Sequence, residues 1–381
     1  MKQGLPIQIV LHLQHSKTSL NKNNLSAKRM NKVLIDCERT KYPNTGLFHF
    51  CLNLGNELLK QTNPAQEELF FYLPGARQQL FGNNTNCVLQ HPLHKFFQSG
   101  THKFQIWHSA YQNSRYKPFN PATKVVLTVH DLNFLIERKA EPYKIKKYLR
   151  KVQENINRAD HIVCISAFTQ QIIAEHLHLG NKPVEVIYNG CNINEFPGFN
   201  QPAYRPAKPF IFSIGTVLPK KNFHVLPCLL KNNDYELIIA GNNNKQYEAE
   251  IVEQAKLHGV EDRVKITGPI SEEDKYWYYK NCLAFAFPSL AEGFGFPVVE
   301  AMYYGKPVFI STHTCLPEIG GDAACYFENF EPSLMQETFE KGMQHYTENN
   351  PSAAIRQWAL QFKWSNAAAA YLSVYRSLYN R

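Results

Sequence analysis

The sequence predicts an α/β protein of two doubly wound parallel-sheet domains. Three observations carry that prediction. Short runs of β-branched and aromatic residues alternate with longer amphipathic segments along the whole chain, the pattern of parallel strands joined by crossover helices. The pattern stops once, at residues 189–209 ("NGCNINEFPGFNQPAYRPAKP"), a turn-rich stretch with no periodicity, and then starts again. The length of 381 residues exceeds the usual single-domain size, and 44% apolar with 19% charged residues is enough to fill two cores.

In the first domain "KVLID" (32–36) reads as a strand, followed by a helix over 46–60. "ELFFYL" (68–73), "KFQIWH" (103–108) and "KVVLTVHD" (124–131) read as further strands. A basic helix behind Pro142, the strand "HIVCIS" (161–166), a helix over 167–177 and the strand "VEVIYNG" (184–190) complete it. In the second domain "FIFSIGT" (210–216) precedes a helix near 222–231, "YELIIAG" (235–241) a helix over 245–258, and "VKITG" (264–268) a helix over 271–280. "LAFAFPS" (283–289), a loop with its helix, and "PVFIS" (307–311) follow, and residues 352–379 read as one closing helix. The expected division is an N-terminal appendage over 1–29, a domain over 30–195, a second over 196–355, and a helix over 356–381 that packs back across both.

No apolar run approaches the ~18 residues that span a bilayer, which excludes a transmembrane reading. Nine scattered cysteines without a CxxC pair suit a reducing cytoplasm and argue against a zinc site or disulfide framework. The first 29 residues hold five Lys/Arg and no acid, and lack a signal peptide's apolar core; an added short strand over 7–12 and a start at Met30 are both open.

The net charge of +9 is uneven: residues 1–200 carry 24 Lys+Arg against 13 Asp+Glu, the rest 17 against 19. The first half should therefore face something anionic. Its densest run, "ERKAEPYKIKKYLRK" (137–151), is either a solvated helix face or a dock for anionic lipid headgroups or an anionic lipid-linked acceptor. Nucleic acid is the partner that basicity alone suggests, but no recognition motif or interleaved aromatic pattern supports it.

The chemistry concentrates in "SLAEGFGFPVVEAMYYGKP" (289–307), where Glu292 and Glu300 flank a bare loop. Pro297 suits the first turn of a helix and Gly305 its end. The loop thus lies at the carboxyl end of a parallel strand, where open α/β sheets bind ligands. Gly293 and Gly295 clear side chains from the approach, so backbone N–H groups and the helix terminus form a phosphate seat. A bent loop can hold the two carboxylates roughly 10 Å apart, below an extended limit of ~27 Å. One can then face each end of a nucleotide diphosphate sugar. The alternative makes Glu300 a dipole-complementing acid and Glu292 a solvated loop residue.

"FSIGTVLPKKNFHVL" (212–226) is a strand, a glycine turn and two lysines. Lys220 and Lys221 there can neutralise a departing diphosphate, or can be plain surface charges. No D-x-D triplet occurs, so no metal is expected at the diphosphate and no cofactor is needed.

From Met30 onward the chain resembles the retaining nucleotide-sugar glycosyltransferases of family 4, which have the GT-B fold. The resemblance rests on "NTGLFHF", "LTVHDLNFL", "RADHIVCISAFTQQII", "VIYNGCNINEF", "SIGTVLPKKN", "LIIAGNNN", "VKITGPIS", "AFPSLAEGFGFPVVEAMYYGKPVFIS" and "LPEIGGDAACYF", in that order. It implies two Rossmann-like domains facing across a cleft, acceptor on the first and donor on the second. By motif, Glu300 would bind the ribose hydroxyls and Glu292 the transferred sugar, and Gly293, Phe294 and Gly295 would offer backbone to the diphosphate or sugar. Lys221, with Lys220, would neutralise phosphate beside Gly215 and Thr216, and Gly46 would let the diphosphate approach the first domain. His130, at the end of "LTVHD", would reach the sugar's C6 side while Asp131 orients its loop; without the resemblance His130 reads as structural. The base would sit near Gly268, within 267–270. Thr216 stands where many members have Arg, which throws phosphate neutralisation onto Lys221.

The resemblance implies metal-independent transfer of a hexose with retention, by front-face attack, to a saccharide or lipid-linked saccharide in surface polysaccharide or lipopolysaccharide assembly. Mannose from GDP-mannose is favoured; UDP-glucose or UDP-N-acetylglucosamine, a nucleotide-sugar epimerase on the same fold, and a noncatalytic sugar-nucleotide-binding subunit are the alternatives. The expected location is the cytoplasm, with peripheral contact at the inner face of the membrane.

Overall fold

The structure, a computed structural model, describes residues 30–43, 45–96 and 103–379. The appendage over 1–29 and the strand suggested at 7–12 lie outside the described residues. The described residues from Asn31 onward make one compact unit.

The first half holds a seven-stranded parallel sheet in the order β3-β2-β1-β4-β5-β6-β7. Its elements are β1 (Asn31–Asp36), α1 (Gly46–Gln61), β2 (Glu67–Leu73), β3 (Cys87–Leu89), β4 (Ile106–Ser109), β5 (Lys124–Val129), α2 (Phe134–Glu137), α3 (Pro142–Arg158), β6 (His161–Cys164), α4 (Ala167–His176) and β7 (Val184–Val186). Alternation along each strand splits the core in two. Val33, Ile35, Phe71, Ile106 and Val126 face α1, while Leu34, Tyr72, Trp107, Leu127 and Ile162 face α3 and α4.

The second half holds a six-stranded parallel sheet in the order β10-β9-β8-β11-β12-β13. It runs β8 (Phe210–Ile214), β9 (Glu236–Ala240), α5 (Lys245–Leu257), β10 (Val264–Gly268), α6 (Glu272–Asn281), β11 (Ala284–Phe287), α7 (Phe296–Tyr303), β12 (Val308–Ser311), α8 (Leu316–Gly320), β13 (Cys325–Phe327), α9 (Pro332–Asn349), α10 (Ser352–Ala359) and α11 (Trp364–Leu378). Its strands are apolar on both faces because helices cover both.

Two predicted elements take another form, and β3, α2, α8, β13 and α9 go beyond the sequence reading. The segment after β8 is a 3₁₀ helix, Phe223–Leu230, with Pro227 inside it, since proline removes an N–H donor that an α-helix would use. The closing helix is two helices. Phe362 turns into the core of the second half with Ile355 and Ala359 of α10, and Lys363 is extended. The chain then delivers α11 to the first half, where Trp364, Tyr371, Leu372 and Tyr375 join the α1 side of the core. Among the described residues no helix is long and apolar enough to cross a membrane.

A buried polar chain fastens α11 to the first sheet. His108 Nδ1 lies 2.7 Å from the Tyr375 hydroxyl and Nε2 2.8 Å from Thr128 Oγ1, which is 2.8 Å from the Tyr371 hydroxyl. Burial, with His130 nearby, pushes His108 down to about 3. Its folded value lies below the unfolded 6.5, so the unfolded chain takes up the proton first as pH falls. The contribution of neutral His108 is intact above pH 6.5 and is lost as pH drops toward 3. The thermal-stability advantage of wild type over His108→Gln should therefore shrink between pH 7 and pH 4.5, by on the order of 2 kcal/mol. A gap independent of pH, measured by scanning calorimetry, would contradict this.

Candidate active site between the two sheets

The order of the second sheet reverses direction between β8 and β11, which are hydrogen-bonded neighbours. At such a point the loops leaving the two strands diverge and open a crevice at their carboxyl ends. Those loops are 215–222 and 288–295, the two motifs singled out in the sequence.

They are joined to each other. Leu290 N donates to the Lys220 carbonyl at 2.8 Å, and Lys221 Nζ lies 2.5 Å from Glu292 Oε1. The Ser289 hydroxyl lies 2.5 Å from the same carboxylate oxygen, and Lys221 sits over the Phe287 ring at 4.7 Å. Side-chain exposures of 11% for Lys221 and 14% for Glu292 rule out both the solvated loop residue and the plain surface lysine.

Gly295 caps α7 with φ +94°, a left-handed conformation that favours glycine. Glu300 stands in the second turn of α7 and is held by a second lysine. Lys275 Nζ is 3.2 Å from its Oε1 and the Tyr279 hydroxyl 2.7 Å from its Oε2. Burial draws the Lys275 ammonium down, but Glu300 and Glu272 outweigh it and the net shift is upward, so it stays charged. Lys275 is positioned by α6, whose start carries a reciprocal Ser271–Asp274 cap.

A cavity of about 830 Å³ opens between the halves, within the range of small-molecule sites. Gly46, His49 and Asn53 of the first half line one wall, and Gly215, Thr216, Lys220, Lys221, Lys275 and Glu300 the other. Burial and the Lys275 charge lower the pKa of His49, with Glu272 and Glu300 opposing, which favours its neutral form.

Cross-contacts hold the halves together. Glu318, just inside α8, accepts from Ala167 N at 2.8 Å and Phe168 N at 3.0 Å, so it caps α4 of the other half, and the Tyr188 hydroxyl donates to it at 3.0 Å. Lys220 pairs with Glu137 at 2.7 Å. Gly293 meets the His130 carbonyl so closely that a Cβ there would lie 2.6 Å from the oxygen, a backbone contact that no rotamer change relieves.

Of the sequence candidates, Gly46, Gly215, Thr216, Lys220, Lys221 and Glu300 line the cavity; Glu292, Gly293, Phe294, Gly295, His130 and Gly268 do not. Glu292 lies directly behind Lys221. Phe294 is 3% exposed and packs between Phe296 and Phe362, so its side chain anchors the loop from beneath. Gly268 ends β10, with φ +76° and its carbonyl accepting from Gly241 N. The expected reach of the His130 ring into the cavity needs correction. Its Nε2 is 2.8 Å from the Ala110 carbonyl, its face meets Phe50 edge-on at 4.6 Å, and burial pushes it down to about 4, leaving it neutral. Burial raises the Asp131 pKa, against the Asn133 N–H and Lys220. Among the described residues no three His, Cys, Asp or Glu side chains converge as metal ligands.

The sequence reading missed Lys275, Tyr279, Ser289, His49 and Glu318. The Ser271–Asp274 cap of "SEEDKYWYYK" fixes the helix that presents Lys275, and Glu318 lies in "LPEIGG"; both patterns were visible without their partners.

Residues 199–355 match the family model for glycosyl transferases group 1 and residues 88–195 that for Glycosyltransferase Family 4. The chain is 25% identical to the O-antigen chain mannosyltransferase B of Escherichia coli, over 91% of this chain and 100% of that protein. It is 27% identical to the serotype-specific mannosyltransferase WbdA of Escherichia coli over 65% of this chain, and spans 33% of WbdA. Solved structures of the same fold include sucrose-phosphate synthase from Thermosynechococcus elongatus (TM-score 0.68, 14% identity, 92% of this chain and 99% of that one). Anabaena HepE in complex with UDP and glucose is another (TM-score 0.65, 17% identity, 91% and 100%). The two Rossmann-like parallel sheets, the loops at their switch points and these matches identify the chain as a family 4-like glycosyltransferase of the GT-B fold.

Proposed function

We propose that the chain transfers mannose from GDP-mannose to a saccharide or lipid-linked saccharide acceptor in surface polysaccharide assembly, with retention and without a metal. The supporting observation is an 830 Å³ cavity lined by Lys221 and Glu300, each in a lysine–carboxylate pair, with Glu292 directly behind Lys221. A carboxylate is an acceptor only, so Glu300 suits the two ribose hydroxyls and Glu292 a sugar hydroxyl. The pyrophosphate lies at the turn between Gly215 and Lys221, where Lys221 turns from Glu292 toward the phosphate. The anomeric C–O bond to the β-phosphate breaks, a bond to the acceptor oxygen forms on the same face, and the acceptor proton passes to the leaving phosphate oxygen. Lys221, nearly buried, stabilises the charge that develops there more than it could in water. The likeness to E. coli mannosyltransferase B supports mannose and the O-antigen setting. The basic face of α3, with Tyr143 79% exposed, suits peripheral contact with the inner face of the membrane.

GDP-mannose, UDP-glucose and UDP-N-acetylglucosamine should be incubated separately with pooled lipid-linked saccharides, with and without EDTA. Release of GDP, insensitive to EDTA, and an α-linked product by NMR are expected. Release from a uridine donor alone would overturn the sugar assignment, a β-linked product the retention, and no release from any donor the transferase reading.

A further inference from the structure

A second cavity, of about 360 Å³, occupies the switch point of the first sheet. That sheet reverses direction between β1 and β4, and the cavity is lined by the segments leaving those two strands, with Tyr148 and Lys151 of α3 at its side. Tyr42 borders it while Thr45 and Gly46, three and four residues on, border the donor cavity, so the two sites are adjacent.

Its lining carries five cations, Arg39, Lys41, Lys95, Arg115 and Lys151, against one acid, Glu38. Among the described residues only Lys41 has a carboxylate partner, Glu38. Arg39 is fixed between the rings of Tyr42 and Tyr111, at 4.7 and 4.8 Å, and Lys95 lies 5.6 Å from the Tyr116 ring. The Nε of Arg39 is buried with no hydrogen-bond partner, as is Asn113 Oδ1 beside it. Burial first, then Arg115 and Arg39, lower the pKa of Lys151, with Glu38 and Glu154 opposing. A protein gains nothing for its own stability from four cations gathered around one pocket with no carboxylate partner. The arrangement is pre-organised for a compact anion of high charge.

We propose that this pocket holds the pyrophosphate of a lipid-diphosphate-linked acceptor, placing the saccharide's reactive hydroxyl toward the neighbouring donor cavity. The volume suits one pyrophosphate, and the split of α3 agrees: Tyr148 and Lys151 turn to the pocket while Tyr143, Lys146 and Arg150 remain exposed. The acceptor identity rests on the transferase reading above; the anion site does not.

Farnesyl diphosphate, with farnesol as the uncharged control, should be titrated calorimetrically into full-length protein whose donor cavity is filled by saturating GDP, and again without GDP. Wild type should bind the diphosphate and not farnesol. Arg39→Gln/Arg115→Gln, with far-UV circular dichroism unchanged, should bind it at least 10-fold more weakly with GDP affinity within twofold, and Lys151→Gln should show a smaller loss. With a diphosphate-linked acceptor the double variant should raise acceptor KM at least 10-fold and leave donor KM unchanged. Equal affinity of wild type and double variant for farnesyl diphosphate would overturn the proposal. So would loss of binding to phosphatidylglycerol vesicles alone, which would assign the cations to the membrane surface. If the double variant loses the diphosphate while no donor is turned over, the anion site stands and the transferase reading falls.

Discussion

Lys221→Ala is expected to lower kcat by about 10²–10³-fold, the usual cost of removing a pre-organised group aimed at developing charge. Two features make the expectation specific. Lys221 is one of the two lysines of its turn, and Lys220 is engaged with Glu137 of the other half. Thr216 supplies no positive charge where the family often has Arg. The variant also leaves the Glu292 carboxylate buried with Ser289 as its remaining side-chain donor, which costs about 3–5 kcal/mol when a nearly buried pair loses one partner. The two effects separate in a double variant. Lys221→Ala/Glu292→Gln should recover much of the lost thermal stability without recovering kcat. Recovery of both, or a kcat within threefold of wild type in Lys221→Ala, would remove Lys221 from the chemistry.

Trp364→Ala should cost about 3–5 kcal/mol of stability, the range for truncating a buried aromatic. Trp364 is 3% exposed and opens α11 at the point where the chain crosses from one half to the other. Its ring meets Phe50 of α1 at 5.8 Å and Phe296 of α7 at 6.4 Å, so one side chain bridges a helix from each half beside the 830 Å³ cavity. The loss should appear in the thermal midpoint and, because the cavity wall loosens, as a raised donor KM. Tyr143→Ala, at a residue 79% exposed, is the control and should stay within about 0.5 kcal/mol of wild type. Equal midpoints for the two variants would contradict the role given to α11.

The fold was legible where chemistry is local. Parallel strands covered on both faces write themselves as short apolar runs, and twin glycines beside a first-turn proline write a loop that ends in a helix. β3 and β13 were missed; each has three residues, too few to show a period, and so has β7, which was read only as part of a longer run over 184–190. The break between α10 and α11 was missed because Phe362 and Lys363 carry no helix-breaking chemistry; burial of the Phe362 ring decides it. The site was legible as a set of motifs but not as a set of pairs. Glu292 and Lys221 are 71 residues apart, and Glu318 reaches its helix terminus across 150. His130 shows the opposite error. Its place at a strand end marks the region, yet the Ala110 carbonyl and the Phe50 ring, which no local pattern reveals, fix its ring away from the cavity.

The proposed activity requires that a nucleotide diphosphate sugar be gripped between Lys221 and Glu300. A crystal structure of the complex with GDP-mannose decides this. Ribose hydroxyls are expected at about 2.7–3.0 Å from the Glu300 carboxylate and the pyrophosphate within hydrogen-bond reach of Lys221. A nucleotide bound elsewhere, or Glu300 still engaged only with Lys275 and Tyr279 while the ribose lies out of reach, would contradict it.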